Sequence, residues 1–64
     1  MKHLADKYIE VGTRAGDAMN SGDTGKASLE NSAFRTMQSE EKGHDIARSQ
    51  ALFQNAYRDT RNNE

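Results

Sequence analysis

The sequence has no cysteine and no proline, and none of its apolar runs is long. Without cysteine the chain has neither disulfides nor a thiolate metal site, which fits a reducing compartment. A membrane helix needs roughly 20 consecutive apolar residues, and no segment approaches that length. The N-terminal segment MKHLADKYIE is charged and lacks the apolar centre of a signal peptide, so we expect a cytoplasmic protein.

Large apolar side chains are also scarce. Eight of the 21 apolar residues are alanine, which leaves thirteen to build a core in a chain of 64 residues. Domains of this size are marginal alone, and natural ones add disulfides, a metal or further subunits. We therefore expect one small domain over residues 1–64, with residues 62–64 frayed.

Basic and acidic residues are nearly balanced, with a formal net charge of -1. A protein that binds nucleic acid usually carries a basic patch that neutralises several phosphates. Neither half of the chain has a clear excess of lysine and arginine. Nucleic acid is therefore a poor default partner, and no membrane partner is expected.

The residues that are common here favour helix, and strict apolar–polar alternation is absent, so the predicted fold class is all-α. Two adjacent columns of apolar or small residues predict a first helix over residues 3–20. Together they cover about 200° of its surface, more than one neighbouring helix buries. Either a third helix or a second chain must therefore contact it. The columns are Leu4, Tyr8, Val11, Ala15 and Ala18, and Ala5, Ile9, Gly12, Gly16 and Met19.

The segment NSGDTG, residues 20–25, is the clearest helix breaker. Gly22 suits the left-handed position after the first helix, and Asp23 or Thr24 suits the N-cap of the next. A short connection of this kind makes two helices antiparallel neighbours, so we expect a helical hairpin. Its second helix should run over about residues 25–38.

The apolar stripe of the second helix slips between residues 39 and 45. One interpretation is a corner near Gly43, with Asp45 capping a third helix over about residues 44–60. The alternative is one long, kinked second helix that passes through Gly43. Both stay open on the sequence alone.

The same segment also concentrates polar side chains that bind metals in other proteins. Glu40, Glu41, His44 and Asp45 are close in sequence, but a zinc site needs three or four converging ligands. We expect a solvated corner with no metal, no cofactor and no catalytic site, because so small a core does not readily shield a nucleophile and its base from water.

Spaced alanines, a Gly-Asp turn and a later Ala-Arg segment with a phenylalanine form a recognisable pattern at Ala15, Ala18, Gly22, Asp23, Ala27, Phe34, Ala47, Arg48 and Phe53. With this pattern the segment resembles the ANR family, small regulators of AraC-type transcription factors, although the tryptophan of that family's second helix is absent here. The resemblance implies a helical hairpin that contacts a transcription factor. The chain is also similar to short helical early-region proteins of temperate phages, which implies a bacterial or phage-infected host cell.

The functional hypothesis is a small non-enzymatic regulatory protein that acts by protein–protein contact as a homodimer. The alternative is a small dimeric DNA-binding protein with a helix-turn-helix over residues 14–37, whose second helix carries few basic residues. We expect the dimer or partner interface at Ile9, Gly12, Gly16, Met19, Phe53 and Tyr57. We expect the core at Leu4, Tyr8, Val11, Ala15, Ala18, Ala27, Phe34, Met37 and Ile46.

Overall fold

A computed structural model describes residues 4–41 and 45–63. These residues include three α-helices of 17 residues each. Helix α1 spans Leu4–Asn20, α2 spans Thr24–Glu40 and α3 spans Ile46–Asn62. The all-α prediction is confirmed, and each predicted helix end lies within two residues of the observed one. No helix in this part of the chain is long and apolar enough to cross a membrane.

The connection between α1 and α2 is as short as the sequence predicts. Gly22 has a φ of 77° and follows α1 in the left-handed region. Its N–H donates to Met19 O and the N–H of Asp23 donates to Ala18 O, the two hydrogen bonds of a Schellman motif. The Asp23 carboxylate then accepts from the N–H of Lys26 and caps α2.

A second corner separates α2 from α3, so the interpretation with a third helix is confirmed. Helix α2 ends at Glu40, and the N–H of Glu41 donates to Gln38 O. Asp45 caps α3 by accepting from the N–H of Arg48 at 3.2 Å. Gly43 itself lies outside the described residues.

The three helices share one core, in which α1 contacts both of its neighbours. Helix α1 is antiparallel to α2 and parallel to α3, and its contact with α3 is the more extensive. Between α2 and α3, Phe34 stacks on Phe53, and Gln38 donates to the Ser49 hydroxyl. Both contacts lie in the halves next to the connecting corner. The expected α1–α2 hairpin is present, but α3 covers most of the remaining face of α1.

Gly12 and Gly16 of α1 explain why α3 comes so close. A Cβ at Gly12 would lie 2.4 Å from the backbone oxygen of Phe53, and one at Gly16 would lie 2.8 Å from Thr60 Cβ. Both glycines are buried. A side chain at either position would hold the helices apart, so the glycine pair sets the helix separation.

The core is small and centred on aromatic rings. Tyr8 meets Phe34 edge-to-face at 5.8 Å between ring centroids, and Phe34 stacks on Phe53 at 4.2 Å. Leu4 and Met37 are half-buried against this cluster. The expectation for Ile46 is wrong, because its side chain is 59% exposed at the first turn of α3. The buried apolar residues are Tyr8, Val11, Ala15, Ala18, Ala27, Phe34 and Phe53.

Candidate functional site

A groove lies between the N-terminal halves of α1 and α3. It has a volume of about 310 Å³. Because α1 and α3 run parallel, both helix starts lie at the same end of the bundle and border this groove. Its walls combine aliphatic side chains with a few polar groups. The lining residues are Leu4, Ala5, Tyr8, Asp45, Arg48, Ser49 and Leu52.

The Tyr8 side chain joins the groove to the core. Its ring is 2% exposed, and its hydroxyl donates to Glu41 Oε2 at 2.9 Å. Burial raises the pKa of Tyr8, and the hydrogen bond and negative charge of Glu41 raise it further, while the Ser49 hydroxyl acts in the opposite direction. The hydroxyl therefore stays protonated at neutral pH and links α1 to the end of α2.

The other polar groups of the groove differ in whether they have partners. The Ser49 hydroxyl donates to Ile46 O and accepts from Gln38, and one Asp45 oxygen caps α3. The exposed Arg48 guanidinium, in contrast, has no side-chain partner among the described residues. The groove is thus an apolar depression with the Arg48 guanidinium at its edge.

The structure separates the residues that we predicted as an interface into two groups. Gly12, Gly16 and Phe53 are buried at the contact between α1 and α3 of one chain, so they are not available to a second chain in this fold. This corrects the prediction for those three, because the third helix covers the surface that was assigned to a partner. Ile9 is 41% exposed one turn beyond Ala5, and Met19 and Tyr57 are partly exposed.

The polar cluster of residues 40–45 does not converge on a point within the described residues. Glu41 accepts from Tyr8, and Asp45 caps α3. His44 lies outside the described residues. Among residues 4–41 and 45–63, no group of three potential ligands is placed to hold a metal.

The helix-turn-helix predicted over residues 14–37 corresponds to the end of α1, the turn at Gly22 and most of α2. Lys26 and Arg35 are both exposed on α2. Arg14 is engaged elsewhere, because its guanidinium lies 2.8 Å from Glu10 Oε1 and 3.0 Å from Glu30 Oε1. This segment therefore presents two cations, as the sequence indicated.

The side of α3 that packs against α1 was not predicted from the sequence. Ser49, Phe53, Ala56 and Thr60 follow a 4-3-4 spacing, and all four are buried or half-buried. Three of them are small, as the partners of a glycine pair should be. Leu52, which lines the groove, borders this column. The spacing of small residues in α3 was the available signal.

Comparison with known proteins found no family model, no curated protein and no solved structure that matches this chain.

Proposed function

We propose that this chain is a small non-enzymatic regulatory protein that acts by protein–protein contact, with the α1–α3 groove as its docking site. The observation that supports the proposal most is the combination of apolar groove walls with an exposed Ile9 beside them. Exposed apolar surface next to a concavity is typical of interaction sites.

The size of the groove indicates what it holds. A volume of about 310 Å³ is at the small end of ligand sites, which span about 300–1,000 Å³. One large aliphatic or aromatic side chain from a partner helix fits this space. It would be one of the apolar anchors that a helix places in a groove. The exposed Arg48 guanidinium at the edge of the groove favours an acidic residue near that anchor. The resemblance to regulators of AraC-type factors makes a transcription regulator the partner class that we propose.

The described hydroxyls that line the groove are engaged in hydrogen bonds within the protein. The two hydroxyls, on Tyr8 and Ser49, each donate to an acceptor within the protein. A serine nucleophile needs a base that accepts its proton, and Ser49 instead donates to a backbone carbonyl. These hydrogen bonds support a structural use of both groups.

Self-association remains part of the proposal. A homodimer would have to use the partly exposed members of the predicted set, Ile9, Met19 and Tyr57. A dimer that dissociates on unfolding has a midpoint temperature that rises with protein concentration. Sedimentation of a stable monomer of about 7 kDa at high micromolar concentration would argue against it.

The test of the docking site places a carboxylate in the groove. Ala5→Glu fills the groove on α1, while Ala51→Glu makes the same change on the exposed side of α3 as a control. Each variant is immobilised and exposed to bacterial lysate, and the retained proteins are identified by mass spectrometry. We expect a protein that the unmodified chain and Ala51→Glu retain and that Ala5→Glu loses. If Ala5→Glu retains the same proteins equally, the groove is not the docking site.

A further inference from the structure

The near-neutral total charge conceals an uneven distribution over the helices. Helix α3 carries three arginines, at positions 48, 58 and 61, against one acid, Asp59, which gives a charge of +2. Helix α1 carries two basic residues against three acidic ones, which gives -1. Total charge is therefore a poor guide to what the surface of α3 attracts.

Side-chain pairing increases the difference in charge between the surfaces of α1 and α3. Arg14 of α1 is neutralised by two carboxylates, at 2.8 and 3.0 Å. In α3, Arg58 donates to the neutral amide oxygen of Asn55 at 2.7 Å, and Arg61 contacts the neutral hydroxyl of Tyr57 at 3.4 Å. Among the described residues, no carboxylate lies within 4.0 Å of an α3 arginine. Within residues 4–41 and 45–63, the positive charge of α3 is thus not neutralised by a carboxylate.

The side of α3 that points away from α1 is chemically uniform. At 100° per residue, its exposed side chains occupy an arc of about 140° that contains no acid and no large apolar residue. Ile46, Arg48 and Asp59 are also exposed on α3 and lie outside this arc, within about 40° of its edges. The arc carries four amide side chains, two guanidinium groups and two alanine methyl groups. The arc consists of Ala47, Gln50, Ala51, Gln54, Asn55, Arg58, Arg61 and Asn62, all exposed.

This composition fits one class of partner best. Protein interfaces are organised around aromatic and large apolar anchors, and the arc offers none. Arginine, glutamine and asparagine are the side chains that read base edges in the major groove, and alanine contacts the thymine methyl group. We propose that the outward face of α3 binds duplex DNA.

The geometry of a single helix supports DNA over double-stranded RNA. An α-helix is about 10–12 Å wide, and the major groove of B-DNA is about 12 Å wide, whereas that of A-form RNA is deep and narrow. The acids of α1, Asp6, Glu10 and Asp17, lie on a face away from the glycines that contact α3. A duplex that approaches α3 therefore does not meet them.

The site differs from the helix-turn-helix that the sequence predicted. In the predicted helix-turn-helix, the DNA-binding helix was α2, with Lys26 and Arg35. In the present proposal, the DNA-binding helix is α3, and the polar side chains are on its solvent face. The docking groove is on another side of α3, so the two surfaces can be tested separately.

Charge count sets the expected salt dependence. The two arginines of the arc, Arg58 and Arg61, would neutralise two phosphates and give a slope of about -1.8 for log affinity against log salt concentration. The Kd should then rise about 12-fold between 50 and 200 mM salt. With so few charges, we expect weak binding, best measured at the lower salt concentration.

The experiment is fluorescence anisotropy of a labelled 20-base-pair DNA duplex titrated with the full chain at several salt concentrations. Arg58→Gln removes one phosphate contact and should make the salt slope shallower by about 1. Lys7→Gln, a charge-matched control at an exposed position of α1, should leave it unchanged. Ala51→Glu should abolish binding, whereas Ala5→Glu, the groove variant, should bind DNA normally. Circular dichroism of each variant checks that the helices are kept.

Three outcomes would overturn the proposal. The first is no anisotropy change at 50 mM salt with folded protein up to about 100 μM, a range that covers nonspecific affinities. The second is an equal loss of affinity in Lys7→Gln and Arg58→Gln, which would show diffuse attraction to the whole protein. The third is displacement of the duplex by a polyglutamate peptide of equal charge at equal concentration, which would assign the face to acidic proteins.

Discussion

Replacing Gly12 by alanine tests the close crossing of α1 and α3. The new Cβ would lie 2.4 Å from the backbone oxygen of Phe53 and 3.0 Å from Ala56 Cβ. Real Cβ contacts are essentially never under 3.0 Å, so the two helices must separate by at least 0.6 Å, the difference between 2.4 and 3.0 Å. A backbone oxygen cannot rotate away, and the strain therefore falls on the whole contact.

The cost follows from two opposing effects. Overpacking a close contact costs about 1–3 kcal/mol, and a clash with backbone belongs at the upper end. Alanine in place of glycine in a helix interior stabilises the helix by about 1 kcal/mol. The expected net loss is about 2 kcal/mol, which for a domain of this size lowers the unfolding midpoint by roughly 8–16 °C.

Thermal unfolding followed by circular dichroism at 222 nm measures this loss. Gly25→Ala is the matched control, because its Cβ would meet only the Asp23 carboxylate at an ordinary 3.6 Å. The control should leave the midpoint unchanged or raise it slightly. A Gly12→Ala variant that melts at or above the unmodified protein would refute the packing of α1 on α3.

Three further changes test the core, the corner and the buried tyrosine. Phe34→Ala removes the ring between Tyr8 and Phe53 and should lower the free energy of unfolding by about 3–5 kcal/mol. We expect this loss to abolish the cooperative urea transition. An unchanged urea midpoint would show that the ring is not buried. Asp45→Ala removes the cap of α3 and should cost about 1 kcal/mol in thermal melts, whereas Asp59→Ala on the same helix should not. Because the pKa of Tyr8 is raised in the folded protein, its contribution is fully present below the unfolded pKa of about 10 and is lost as pH rises through the folded value. Urea unfolding of Tyr8→Phe should therefore vary less with alkaline pH than that of the unmodified chain, and equal slopes would contradict this reasoning.

Local features of the fold were predictable because their causes are local. Gly22 and Asp23 mark the first turn, since a left-handed residue and a cap each act within a few positions. Asp45 marks the start of α3 for the same reason. The width of the apolar face on α1 also required a further covering element, and that requirement follows from helical periodicity alone.

The sequence by itself determined the first two helices, the corner between them and most of the core, and it left open whether a second corner separates a third helix. Only the tertiary structure decided what covers α1, because periodicity defines a face of a helix and not the element that meets it. Gly12 and Gly16 face α3 of the same chain and not a second subunit. Ile46 shares a helical face with Phe53, yet it is exposed because it lies at the first turn of α3, at the end of the bundle. The same packing decided which side of α3 stays in solvent, and so made a basic surface that total charge does not reveal.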